Sequence, residues 1–568
     1  MLRRLLSRSA TMGVALGVVL AGIVPAATAQ AAGGVDGKDS TGQAIPAATQ
    51  GAVAGQVVAN TKGIEWTRCG GMQCATLTVP LDYANPAGGT MELTVSRRPA
   101  DNPKQRIGVL VTNPGGPGVP ASFTLPLFAQ TLSRDIRARF DLIGINPRGT
   151  GMDMMAMCIG KPGQPAPEID FMFPITPAQV QAQLAADAFT VALCKADTEN
   201  NRILGHMSTG DSARDIDAVR AAMGEKAVNF YGVSYGSVLG ATYTQLFPDR
   251  TRAVIVDGAL DPVAWTGGRR DTVNQPMTAR LGSHLGGQKA LMSAIAECER
   301  VGARFCAEHQ TIRKDWTELV RQLRKKPIEL GDGTDGLALT FDSVIAMING
   351  GLYDYEGVPD VLGMIHLLNQ VATAGPNPPA AVEARAQRAY TKVERRDAAN
   401  RKNRIGYDPP APPDDEEQWP PMYAASFTGV VCDDGKQPSD PQAWVRAAKA
   451  ADKAAPGFGS LWTWTSSVCA KWPFHSPGAL RGAFNKPSKG GMLILNTTND
   501  PATPYAGAIA LRNTRQDSRL ITVPGWGHAV LDTSGCASTI RDRYLLTGRL
   551  PVIDQHCRQD HALFPRLD

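Results

Sequence analysis

Little in this chain is aromatic (6%) or histidine (8 of 568 residues), and charge of neither sign dominates: 58 Lys and Arg stand against 53 Asp and Glu, a formal net charge of +5. It has no sustained basic stripe with interleaved aromatics, which argues against nucleic acid as a partner. Neither C-x-x-C nor H-E-x-x-H occurs. The usual zinc-ligand spacings are therefore missing, and no metal or cofactor is expected. No glycine-rich segment ends in G-K-[ST], the signature of a phosphate-binding loop, and no internal repeat is found. Apolar residues make up 43% and charged residues 20%, the balance of a chain that folds around a core. Its length allows one elaborated domain or two.

The N-terminus runs from Met1-Leu2-Arg3-Arg4 through the apolar stretch Met12 to Val24 and into small residues around Ala27 to Ala31. That order is the pattern of a cleavable secretory signal over residues 1–31. The apolar run is short for a bilayer span, so an anchor is the less economical reading and no stable membrane insertion is expected after cleavage. The Arg3-Arg4 pair also fits twin-arginine export. Residues 32–60, rich in Gly, Ala and Gln without periodicity, suit a flexible leader or pro-segment. Ten cysteines follow: Cys69, Cys74, Cys158, Cys194, Cys298, Cys306, Cys432, Cys469, Cys536 and Cys557. An even number in an exported chain reads as disulfides, with neighbour pairing the simplest of many connectivities.

The runs Ile107 to Thr112 and Phe140 to Ile145 are continuous in apolar residues and bounded by Gly or Pro, as strands buried on both faces are. Helical stretches such as Ser212 to Met223 and Val238 to Phe247 alternate with them, which predicts a mainly parallel sheet. The alternation stops after Val254 to Asp257. From Pro262 to Tyr423 the chain reads mostly as helices, and strands resume at Gly491 to Leu495 and Arg519 to Val523. The expected organisation is an α/β core in two halves, 61–261 and 426–568, split by a helical cap over 262–425.

Between a strand-like run and a helix lies Gly232-Val233-Ser234-Tyr235-Gly236. A G-x-S-x-G here predicts a strained turn that exposes a serine hydroxyl. Such a hydroxyl needs a histidine to take its proton and a carboxylate to hold the histidine, in the chain order Ser, acid, His. Asp500 and His528 each follow a predicted strand, where α/β sheets place their sites. They are the expected catalytic acid and base with Ser234 as nucleophile. His556 and His561 also follow Asp500, but no strand precedes them. Asp257, ending the strand after the nucleophile helix, is a rival acid whose plainer role is packing. Asn113-Pro114-Gly115-Gly116-Pro117-Gly118 offers unobstructed amides, and the N–H groups of Gly116 and Tyr235 are the expected oxyanion hole. Together these features predict an α/β-hydrolase fold with an inserted helical cap.

Several segments closely resemble the secreted tripeptidyl aminopeptidase family of actinobacteria, among the prolyl aminopeptidase-like α/β hydrolases. They include Trp66-x-x-Cys69, Asn113 to Gly118, Phe140 to Gly151, Gly232 to Gly236, Cys469 to Pro473, Asn499 to Tyr505 and Tyr544 to Gly548. The resemblance spans about residues 64 to 557 and is poor in the cap. It implies a secreted serine exopeptidase that releases short peptides, commonly tripeptides, from free N-termini, and a monomer is expected. The same triad would serve a carboxylesterase, and a binding module that has lost its chemistry is the alternative from another class. The chain departs from the family at Val119-Pro120-Ala121, at Asn146, where an Asp commonly stands, and across Met152 to Met157. A protonated substrate amine calls for carboxylates near the cleft, and Asp354 and Glu356 are the candidates.

Overall fold

The computed structural model describes residues 63–565 apart from 152–153, 199–200, 332–336, 376–377 and 406–419. The expected signal and leader lie outside the described residues, as does most of the Pro-rich acidic stretch from Asp408 to Pro421. In chain order the strands are β1 (Thr67–Cys69), β2 (Met72–Pro80), β3 (Thr90–Arg98), β4 (Gly108–Asn113), β5 (Phe140–Ile145), β6 (Met157–Ile159) and β7 (Val228–Val233). There follow β8 (Thr251–Asp257), β9 (Ile328–Leu330), β10 (Leu337–Leu339), β11 (Met422–Ala424), β12 (Met492–Asn499), β13 (Ser518–Trp526) and β14 (Gln555–His556).

Among the described residues ten strands form one sheet in the order β1-β2-β3-β5-β4-β7-β8-β12-β13-β14. Pairings from β1 to β5 are antiparallel, and every pairing from β5 to β14 is parallel. All residues of β4, β5 and β7 are buried, because helices cover both faces of the sheet. Period-two alternation divides the side chains between two cores. Val109 and Val111 join one cluster with Phe230, Val254 and Val256. Leu110 joins the other with Leu142, Tyr231, Ile255 and Leu495. Each such residue contributes about 1.5–3 kcal/mol by leaving water.

Ten α-helices among the described residues lie between β8 and β12, from Pro262–Thr266 to Phe458–Thr463. β11 returns to pair with β6 beside the loop that follows β5. Helices continue past residue 425, through Ser426–Asp434 and Gln442–Ala454, and 262–425 is retained as the proposed cap. Five disulfides take the neighbour pairing: Cys69–Cys74, Cys158–Cys194, Cys298–Cys306, Cys432–Cys469 and Cys536–Cys557.

Candidate active site

β7 ends at Val233, and the next residue, Ser234, adopts φ 58° before the helix Gly236–Leu246 begins. A non-glycine residue in that region is held there by its surroundings. Ser234 N–H donates to the Asp257 carbonyl at 2.8 Å, and its own carbonyl accepts from Ser237 Oγ at 2.6 Å. The flanking glycines are sterically required: a Cβ at Gly232 would stand 2.2 Å from the Gly236 carbonyl oxygen, and one at Gly236 would stand 2.9 Å from Asn113 Oδ1.

Asp500 follows β12 and is 1% exposed. Its Oδ1 accepts from the N–H groups of Ala502 (2.9 Å) and Thr503 (2.8 Å). Its Oδ2 accepts from Thr503 Oγ1 (2.7 Å) and Ala529 N–H (2.9 Å). His528 Nδ1 lies 3.0 Å from both carboxylate oxygens. Burial alone pushes the Asp500 carboxyl up, but the charge and hydrogen bond of His528 and the amides of Ala529 and Thr503 outweigh it. The group is held below the ordinary carboxylate range. An ionised carboxylate only accepts, so Nδ1 carries the proton and Nε2 keeps the basic lone pair.

The turn that bears His528 is fastened at nearly every residue. Trp526 N–H donates to Gln559 Oε1 at 3.2 Å, His528 N–H to the Tyr353 carbonyl at 2.8 Å and Ala529 N–H to Asp500. Val530 and Leu531 N–H both donate to Asp257, at 2.7 Å each. Asp257, the rival acid, also accepts from Tyr231 OH at 2.9 Å, so its carboxylate serves the turn's backbone. Burial pushes its carboxyl up. Thr503, Tyr353 and Gln559 were not singled out from the sequence. Only Thr503 left a local signal, a hydroxyl three residues after an Asp, the spacing of a side chain that caps a turn.

The glycine-rich loop after β4 lies against the serine turn: a Cβ at Gly115 would stand 2.6 Å from the Val233 carbonyl, 2.8 Å from Ser234 Cβ and 3.3 Å from Tyr235 N. Gly115 and Gly116 adopt φ 101° and 107°, and Asn113 Oδ1 accepts from Gly115 N–H at 3.0 Å. The Tyr235 ring is fully buried, its hydroxyl 2.7 Å from Thr209 Oγ1.

Asp354 and Glu356 sit on the loop after the helix Phe341–Gly351, whose Tyr353 carbonyl meets His528. Both already have a cation: Arg396 Nη1 lies 3.2 Å from Asp354 Oδ2 and 3.5 Å from Glu356 Oε2. Glu356, with its side chain 60% exposed, is the more accessible of the two.

Comparison with known proteins supplies the lineage. Residues 108–276 match the α/β hydrolase fold family, and residues 454–557 match the TAP-like protein family. The chain is 30% identical over 525 residues to carboxylesterase B of Mycobacterium tuberculosis, covering 88% of each chain. It belongs to the tripeptidyl aminopeptidase-like family of α/β hydrolases. It is also 28% identical over 542 residues to the tripeptidyl aminopeptidase of Streptomyces lividans, covering 89% of each. With serine protease Hip1 of M. tuberculosis it shares 28% identity over 519 residues, 87% of this chain and 91% of that one. This tripeptidyl aminopeptidase-like chain is an enzyme of the serine hydrolase type. Among its described residues no helix is long and apolar enough to cross a membrane, and its five disulfides fit an oxidising compartment.

Proposed function

We propose that this hydrolase is a secreted serine exopeptidase that releases short peptides, tripeptides foremost, from free N-termini. Ser234 is the nucleophile, His528 the general base, Asp500 its orienting carboxylate, and the N–H groups of Gly116 and Tyr235 the oxyanion donors. His528 Nε2 takes the Ser234 proton as Oγ attacks the scissile carbonyl, and the developing oxyanion is met by the two amides. The imidazolium then protonates the leaving amine, and water releases the acyl peptide by the same steps in reverse roles. The observation that carries this reading is the 3.0 Å contact of His528 Nδ1 with both oxygens of an Asp500 anchored by Ala502, Thr503 and Ala529. That anchoring leaves Nε2 as the ring nitrogen for the serine.

Peptide specificity draws support from the relatives named tripeptidyl aminopeptidase and serine protease. In this reading Asp354 and Glu356 bring negative charge to the cleft for the substrate ammonium, which competes there with Arg396. A carboxylesterase on the same triad is the second reading, favoured by the relative of that name at 30% identity. Kinetics with a tripeptide-anilide, its N-acetylated form and a short acyl ester separate the two. Preference for the free peptide over both others is expected. Equal rates on free and acetylated peptide would remove the aminopeptidase reading, and full activity in Ser234→Ala would remove the mechanism.

A further inference from the structure

The N–H groups of the turn 526–531 donate to four segments distant in sequence, and three of them belong to the sheet or its tail: Asp500 after β12, Asp257 at the end of β8, and Gln559 beyond β14. The fourth is the loop that leaves the cap helix Phe341–Gly351. Its Tyr353 carbonyl accepts the N–H of His528 itself, and the Tyr353 ring meets the imidazole edge-on with centroids 5.0 Å apart. The approach is close: a Cβ on Gly527 would come within 3.3 Å of both the Tyr353 carbonyl oxygen and Tyr355 N.

A backbone carbonyl stays aimed only if its loop is fixed, and three side chains fix this one. Asp354 Oδ1 accepts from Glu356 N–H at 3.1 Å, closing the short turn Tyr355–Gly357. Asp354 Oδ2 is gripped from the long cap helix Ala380–Ile405, by Arg396 Nη1 at 3.2 Å and Asn400 Nδ2 at 3.5 Å. The Arg396 stem lies over Gly357, where a Cβ would stand 3.0 Å from Arg396 Cδ. Arg396 Nε also lies 3.7 Å from Asp360 Oδ2. The guanidinium thus reaches three acids in and just after the loop, with its side chain 31% and that of Asp354 27% exposed.

We infer that Arg396, acting through Asp354, is a positioning residue for the catalytic histidine, locking the cap loop that aims the Tyr353 carbonyl at His528. The inference rests on the proposed triad. It gives the cap a part in catalysis that does not require contact with substrate, and it assigns Asp354 to the loop while Glu356 remains the amine anchor. A misaimed general base lowers the chemical step without weakening ground-state binding.

The test uses two reagents without an amine, a short acyl ester and a fluorophosphonate that modifies the active serine, so that amine recognition is not involved. Wild type, Arg396→Ala, Arg396→Lys, Asp354→Ala, the double alanine variant and Lys392→Ala, which loses only the neighbouring pair with Asp360, are compared. Arg396→Ala is expected to lower kcat and the phosphonylation rate together by about ten-fold, with KM and Tm kept. Arg396→Lys should recover part of the loss, and Lys392→Ala should match wild type. Asp354→Ala should resemble Arg396→Ala, and the double variant should fall no further than either, since one pathway is cut twice. Unchanged kcat in Arg396→Ala, additive losses in the double variant, or a loss of kcat only in step with Tm would each overturn the proposal. A wild-type protein that the probe fails to label at Ser234 would instead overturn the triad reading.

Discussion

Asp257 and Asp500, at the ends of the neighbouring parallel strands β8 and β12, hold consecutive residues of one turn. Asp500 takes the His528 ring and the Ala529 amide, and Asp257 takes the amides of Val530 and Leu531. Two buried carboxylates therefore divide the work, one meeting the ring and the amide next to it, the other only the two amides that follow. Sequence order alone left them as rivals. The assignment of Asp500 as the catalytic acid rests on the ring contact.

That division separates two substitutions. Asp500→Asn places an amide against several N–H donors and favours the wrong imidazole tautomer, so kcat should drop about 10,000-fold. Asp257→Asn also sets an NH2 group against donors and should cost about 1–3 kcal/mol of stability. With the triad intact it should retain most of kcat. Urea unfolding with parallel kinetics checks both, and a folded but inactive Asp257→Asn beside an active Asp500→Asn would reverse the assignment.

Thr503 donates its hydroxyl to Asp500 Oδ2 at 2.7 Å and lies 3.3 Å from His528 Nδ1. Thr503→Val keeps the shape and removes the hydrogen bond. It should lower kcat about ten-fold, as loss of a bond to a buried charge does, while KM stays near wild type. A kcat equal to that of wild type would reduce the hydroxyl to packing.

The parts legible in the sequence are those whose causes are local. Runs such as Val109-Leu110-Val111 announce strands because both faces are covered, and Gly232 to Gly236 announces the elbow because its sterics lie within five residues. β1 and β14, of three and two residues, are too short to carry a period. Tyr353 and Gln559 meet the histidine turn through a backbone carbonyl and an amide whose roles depend on how distant loops meet. Nothing near either residue in sequence marks that contact. Arg396 sat unremarked in a charged helix for the same reason.

Gly232 and Gly236 are not equivalent. The Cβ of an alanine at 232 would press on the Gly236 carbonyl oxygen from 2.2 Å and on Phe230 Cε1 from 2.6 Å in a buried strand. At 236 the nearest atoms, Asn113 Oδ1 at 2.9 Å and the Asn113 carbonyl oxygen at 3.0 Å, stand farther off. Gly232→Ala should cost about 1–3 kcal/mol and slow fluorophosphonate labelling of Ser234, with Gly236→Ala milder on both. The opposite ranking would show that the elbow is not shaped by this contact.

Stability should carry a pH signature from Asp434, which accepts from Thr209 N–H at 2.7 Å and Trp265 Nε1 at 2.8 Å beneath the serine turn. Burial pushes its carboxyl up to about 6 despite those hydrogen bonds. An unfolded Asp titrates near about 3.9, so between these values the folded state holds the extra proton. The stabilisation this provides is complete below about pH 4 and is lost as pH rises through about 6, after which it is flat. Asp434→Asn lacks the titration. Subtracting its unfolding free energy from that of wild type should leave a difference that falls, to the disadvantage of wild type, between about pH 4 and about pH 6 and then levels, in a window of about two units. A difference constant across that range would mean that Asp434 titrates as an ordinary carboxylate despite its burial.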